Sequence, residues 1–190
     1  TGYGLLSTAV LLEQVRAQAA ALGLPPDTPD LLRRFDACFV QPPTRAISEE
    51  IAREYGRSLA YLLLTLKRGD PANRAARPEW DDRHWNWWAS INTVWVGGGL
   101  VAGHLGPIAV REAGRVVHDA GFPDFAVNLS PHGAELPLVG LSRLAPAGLS
   151  GGCRGRRAGQ RRRVLSGAAL LLFLPLVLIA VGIAIVARIL

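Results

Sequence analysis

Over the first third of the chain, apolar residues recur at three- and four-residue steps, which predicts helices rather than strands. Leu11, Leu12, Val15, Ala19 and Leu22 share one face, so Leu5 to Leu22 reads as an amphipathic helix. Pro25-Pro26 and Asp27-Thr28-Pro29 break it, and Asp30 stands where it would cap a short helix through Arg34. Gln41-Pro42-Pro43-Thr44 reads as another break. Beyond it, Ile51, Tyr55, Leu59, Leu62, Leu63 and Leu66 mark the apolar face of a long helix. Ser48 is its expected N-cap, Glu49 and Glu50 suit its first turn, and it runs to about Lys67.

The period is then lost. Residues 68–84 carry Pro71, Pro78 and many charges, and read as a surface loop. Trp80, Trp85, Trp87 and Trp88 crowd its far end. Local packing accounts for such a cluster, and a carbohydrate or membrane-interface platform is the functional alternative. Ile91 to Val96 is a short apolar run that predicts a buried strand. A helix is expected from about Pro107 to Ala120, with Pro107 in its first turn, and Gly121-Phe122-Pro123 ends it. Phe125 to Leu129 reads as a second strand, and Glu135 to Leu144 as a short apolar helix.

Gly97, Gly98 and Gly99 follow the first strand directly. Consecutive glycines are entropically costly to order. They suit a place where a ligand or another backbone approaches the main chain closely. A tight strand-to-helix turn in an unrelated α/β domain is the alternative. Asn128, Ser130 and Glu135 lie where a purine could reach them across the sheet edge. His104 stands near enough to the glycines to meet a phosphate, whereas His84, His118 and His132 recur at no metal-ligand spacing. Glu79, Asp81 and Asp82 suit a solvated loop better than an acid/base pair.

Charge divides the chain. The formal net charge is +6. Residues 1–150 hold 14 Lys/Arg and 15 Asp/Glu, and residues 151–190 hold 7 Arg and no acid. The basicity is therefore local to the tail, and no aromatic residues interleave its arginines, so nucleic acid is not an expected partner. Residues 148–163 form a Gly/Arg-rich linker, and Val164 to Val186 contains no charged residue over 23 positions. That length suffices for a bilayer core of roughly 30 Å. Six arginines precede the run and only Arg188 follows it, which places residues 1–163 on the cytoplasmic side of a membrane. The arginine cluster also suits anionic lipid head groups. Pro175 at mid-span fits either a kinked spanning helix or a re-entrant hairpin. Cys38 and Cys153 lie too far apart in character to suggest a disulfide framework, and reduced thiols are expected. The lack of methionine and the start at Thr1 suggest a fragment.

The order of elements around the glycines resembles the C-terminal lobe of ROK-type sugar kinases, of the hexokinase/actin-like ATPase superfamily. The residues that carry the resemblance lie within 1–145. They are the strand ending in Gly97-Gly98-Gly99, the Gly106-Pro107 near the next helix start, Tyr55-Gly56-Arg57-Ser58-Leu59-Ala60, and Leu138-Val139-Gly140-Leu141-Ser142. The resemblance implies an α/β fold, a partial actin-like ATPase (ribonuclease H-like) lobe over residues 1–147, followed by a C-terminal transmembrane or re-entrant helix over 164–187. It implies ATP as cofactor with its adenosine against Gly97, Gly98 and Gly99, magnesium without an identifiable ligand, and an unidentified sugar as substrate. The family's Asp-x-Gly-Thr phosphate loop, second phosphate loop, general base and zinc cluster are missing, so the resemblance implies an inactive transferase lobe rather than a complete kinase. Separately, Arg163 to Arg188 resembles the membrane-insertion segment of bacterial polyprenyl-phosphate sugar phosphotransferases. The alternatives are thus a truncated phosphotransferase and a non-enzymatic membrane-anchored interaction domain. Membrane lipid and nucleotide are the expected partners, with a homo-oligomer possible.

Overall fold

In the computed structural model of the chain, residues 6–135 and 184–188 are described. They form a mixed α/β structure that is mostly helical. The helices are α1 (Thr8–Ala17), α2 (Leu31–Cys38), α3 (Pro42–Arg68), α4 (Pro71–Ala75), α5 (Asp82–Ser90) and α6 (Leu105–Asp119). The strands are β1 (Thr93–Gly97), β2 (Ala126–Leu129) and β3 (Ala184–Arg188). β1 is central. It pairs parallel with β2, Trp95 opposite Asn128, and antiparallel with β3, Gly97 opposite Ala184.

α1 begins at Ser7, whose hydroxyl accepts the Val10 N–H, and is shorter than the apolar period suggests. Ala19 and Leu22 are buried all the same, because the turns after Ala17 keep them on the core side. Asp30 does stand at the N-cap of α2, but its side chain makes no capping hydrogen bond. The larger difference is at α3. Pro42-Pro43 opens this helix instead of breaking the chain, since proline in a first turn forfeits no intrahelical bond. Ser48, expected as the cap, is therefore one and a half turns inside, buried, with its hydroxyl donating to Thr44 O at 3.1 Å. The helix ends at Gly69, in the left-handed conformation (φ 55°).

The 68–84 segment is not simply a loop. It contains α4 and opens α5, where Asp81 accepts the His84 N–H as N-cap. α5 turns Trp85 and Trp88 into the core, while Trp80 and Trp87 pack partly buried against it. The core gathers one face of each long element: Leu11 and Val15 from α1, Phe35 from α2, Tyr55, Leu59 and Leu63 from α3, Val94 and Val96 from β1, and Ala109, Ala113 and Val117 from α6. The Tyr55 hydroxyl donates to Leu6 O at 2.7 Å inside it, and burial holds that phenol far above its ordinary range.

α3 and α6 cross closely, and their small residues set the distance. A β-carbon at Gly56 would stand 2.5 Å from Ala109 O. Beside the crossing, Glu112 is nearly buried and pinned by Arg115 at 2.7 Å and Arg57 at 3.6 Å. Its hydrogen bond to Arg115 holds its carboxyl below the usual range.

The expected membrane helix over 164–187 lies mostly outside the described residues, as do the short helix beyond Glu135, the 148–163 linker and Cys153. Its last residues, from 184 to 187, fall in the strand Ala184–Arg188 and not in a helix. Ile185 and Val186 are β-branched, and the edge of β1 offers them a backbone ladder. Among the described residues, no helix is long and apolar enough to cross a membrane.

Candidate functional site: the glycine cleft

The carboxyl ends of β1 and β2 lie side by side, and the loops leaving them are hydrogen-bonded to each other. Ser130 N–H donates to Val96 O at 2.8 Å, and Gly98 N–H donates to Gly133 O at 2.9 Å. Both chains turn away here, one into Gly97-Gly98-Gly99 and the other into Pro131-His132-Gly133.

The three glycines do different work. Gly97 ends β1 and is buried. Gly98 has φ 118°, a conformation open to glycine and strained for any side chain. That turn sends the chain into a single 3-10 turn, Gly99–Val101, closed by Val101 N–H on Gly98 O. Gly99 is exposed, and nothing lies within 4 Å of where its β-carbon would be. Gly98 thus explains the turn, while Gly99 leaves a bare stretch of main chain facing open space.

The loop reaches α6 through two further close approaches. A β-carbon at Gly106 would collide with the Val101 carbonyl, which fixes the first turn of α6 against the 3-10 turn. Pro107 follows in that first turn, where its missing N–H costs no bond. A β-carbon at Gly103 would collide with the Asp36 carboxylate, which comes from α2. Asp36 accepts the backbone N–H of His104 at 2.8 Å on one oxygen, and its other oxygen lies 3.0 Å from His104 Nδ1. The His104 ring also stacks on Phe39, with centroids 5.9 Å apart. So α2 is fastened to the amino end of α6 by one carboxylate. The lone negative charge also sits well against the positive end of the helix.

Between α2 and the glycine loop lies a cavity of about 340 Å³. Leu11, Leu32 and Phe35 form its apolar wall, Gly99 contributes bare main chain, Gly103 lies under the Asp36 carboxylate, and Arg33 and Asp36 are its charged side chains. Its size falls at the lower end of small-molecule sites, roughly 300–1,000 Å³.

The other candidates disperse. His84 pairs with Asp81 at 2.7 Å beside α5, which enters β1 from the opposite end. His118 stands in the last turn of α6 beside Asp119. His132 is in the loop after β2, its N–H donating to Ser130 Oγ at 3.2 Å. Ser130 is buried and Asn128 half-buried within the ladder. Glu79 pairs with Arg77 and Asp82 with Arg74, both at the surface. Among the described residues no three His, Cys, Asp or Glu side chains gather as a metal site. Cys38 is buried, donates to Arg34 O, and burial pushes its thiol up, away from reactivity. The tryptophans pack on one another and under Arg74, whose guanidinium lies 5.6 Å from the Trp85 ring centre, so they serve the fold.

The spacing of the sequence does not reveal Asp36 and Arg33. Asp36 meets His104 across 68 positions, and the only local sign is a charged pair on a short helix with an apolar face. Comparison of the chain with protein-family models, with curated proteins and with solved structures yields no match.

Proposed function

We propose that residues 6–135 are a nucleotide-binding lobe of the ROK sugar-kinase type, holding the adenosine of ATP against Gly97–Gly99 and lacking the groups for phosphoryl transfer. The observation that carries this is the place of the glycines. They leave the carboxyl end of β1 beside the carboxyl end of a parallel strand, with Gly99 uncovered. In open α/β sheets, ligands bind outside the carboxyl ends of the strands. A purine needs a flat, bare surface to lie on, and a main chain without β-carbons supplies one. The apolar wall of the cleft suits the base. Magnesium and the sugar have no identified ligands among these residues. The chain on this reading binds a nucleotide and leaves it unreacted.

Titration of the full chain with a fluorescent ATP analogue tests the reading. Saturable binding is expected, and Gly99→Trp abolishes it by covering the bare main chain without straining the turn. Absence of binding at millimolar nucleotide rejects it.

A second reading concerns the tail, and β3 bears on it. If residues 164–183 enter a bilayer, Arg154 to Arg163 hold the near end at the head groups. Ala184 pairs with Gly97 on the domain itself, which supports a far end that returns to the same side. This favours the re-entrant alternative, with Pro175 at its turn, over a single span. A cysteine substituted at Leu190 should be labelled from the side that carries the domain, and labelling from the opposite side rejects re-entry.

A further inference from the structure

We propose that Arg33 is the anion-binding residue of the glycine cleft and takes the phosphates of the nucleotide whose nucleoside rests on the glycines; this builds on the nucleotide reading above. Two charged side chains, Arg33 and Asp36, line the cavity, one helical turn apart on α2. Their situations differ. Both carboxylate oxygens of Asp36 are engaged by His104, one by the backbone N–H and one by the ring. Arg33 forms no ion pair among the described residues. Every Asp and Glu of the chain lies at or before Glu135, so the remaining sequence holds no acidic side chain for it. The charge that the cleft leaves unmet is therefore a guanidinium, whose planar fork matches phosphate oxygens two at a time.

Asp36 also sets the direction. An anion would ordinarily settle at the amino end of a helix such as α6. Here the Asp36 carboxylate already occupies that end, on His104 N–H. Phosphates entering the cleft are repelled by Asp36 and drawn to Arg33, which is exposed. The apolar wall and the bare main chain at Gly99 remain for the nucleoside. Asp36 is thus a positioning residue, and Arg33 the ligand contact.

The test is calorimetric titration of the full chain in detergent with adenosine, ATP and inorganic pyrophosphate, for wild type, Arg33→Gln and Arg33→Lys. Wild type should bind ATP about tenfold more tightly than adenosine, the scale of one charge-assisted phosphate contact. Arg33→Gln should erase that difference and leave adenosine within about twofold of wild type; Arg33→Lys should keep part of it. Added salt should narrow the difference in wild type only. Weaker binding of pyrophosphate than of ATP ties the anion site to the nucleoside; equal binding overturns the link. If Arg33→Gln weakens both nucleoside and nucleotide alike, or neither, the assignment of Arg33 falls while adenosine binding still supports the glycine site. If wild type binds neither adenosine nor ATP, both readings fall. Because Arg33 is exposed, an unchanged melting curve will certify the variants as folded.

Discussion

Replacing Gly56 with alanine adds one methyl group at the crossing of α3 and α6. The new β-carbon would stand 2.5 Å from Ala109 O and 3.0 Å from Ala109 Cα and Glu112 Cβ. Two of these three atoms are helix backbone and the third is a β-carbon fixed directly to it, so none can rotate aside as a side-chain end would. Ordinary contact starts at 3.4 Å, so the helices must part by about 0.9 Å at this point. A gap of 0.5–1 Å forfeits roughly a quarter to a half of each dispersion contact nearby. Ala52, Leu59, Ala60, Leu63 and Ala113 are buried along the same two helices and share the loss. Overpacking of this kind costs about 1–3 kcal/mol. Alanine returns about 1 kcal/mol of helix propensity. Because the clash is with backbone, the upper part of the range applies, and a net loss of about 2 kcal/mol is expected. For a chain of this size that lowers the melting temperature by about 4–8 °C. Gly114→Ala on α6 is the matched control. Nothing lies within 4 Å of its β-carbon position, and the helix continues through it. There the propensity gain stands alone, so melting should rise by about 1–4 °C. Circular dichroism at the helical band, on the full chain, reads both. A Gly56→Ala variant melting at or above wild type would refute the crossing geometry.

Two further outcomes follow from buried polar groups. Tyr55→Phe removes the donor to Leu6 O and should cost about 1–2 kcal/mol by urea denaturation. Burial raises the Tyr55 phenol above its unfolded value. The native chain therefore keeps a proton that the unfolded chain loses above about pH 10, and wild type should lose stability there more steeply than Tyr55→Phe; parallel pH profiles would show the phenol is not buried. Lys67→Met removes an ammonium that donates to Ala89 O, Ile91 O and Asn92 Oδ1. It should cost about 2 kcal/mol or more by the same denaturation assay, and an unchanged midpoint would mean that water replaces those bonds freely.

What the sequence made legible was what a single residue type forces. Gly98 is glycine because φ is 118°, and Gly106 because a carbonyl occupies its β-carbon space; both needs show as glycines near a strand end. The apolar faces of α3 and α6 were visible because each is long enough for the helical period to repeat. The misplaced start of α3 has a different origin. Pro42-Pro43 serves equally as a break or as a first turn, and only the packing of Thr44 and Ser48 into the core decides. The membrane helix was read from apolarity, which Ile185 and Val186 satisfy equally well as strand residues. The wall of the cleft was hidden for a third reason. The Asp36–His104 contact depends on how α2 docks, and docking leaves no period in the sequence.

The carboxyl end of α3 has a consequence for how the domain breathes. Lys67 donates to Ala89 O in the last turn of α5, to Ile91 O just beyond it and to the Asn92 side chain leading into β1, and burial keeps its ammonium below the ordinary lysine range. Its neighbour Arg68 donates to Ala120 O, where α6 ends, and lies over the Phe122 ring. Three segments remote in sequence are thus knotted at the amino end of the sheet, and none can open without freeing the others. Amide hydrogens of α5, early β1 and the last turn of α6 should exchange as one slow class. At the glycine end Gly98 N–H is held by Gly133 O, but Gly99 just beyond it faces open space. The strand is therefore anchored at its base and the loop beyond its tip is open at Gly99, and slow exchange at the base with fast exchange at Gly99 and Leu100 would be the signature of that gradient.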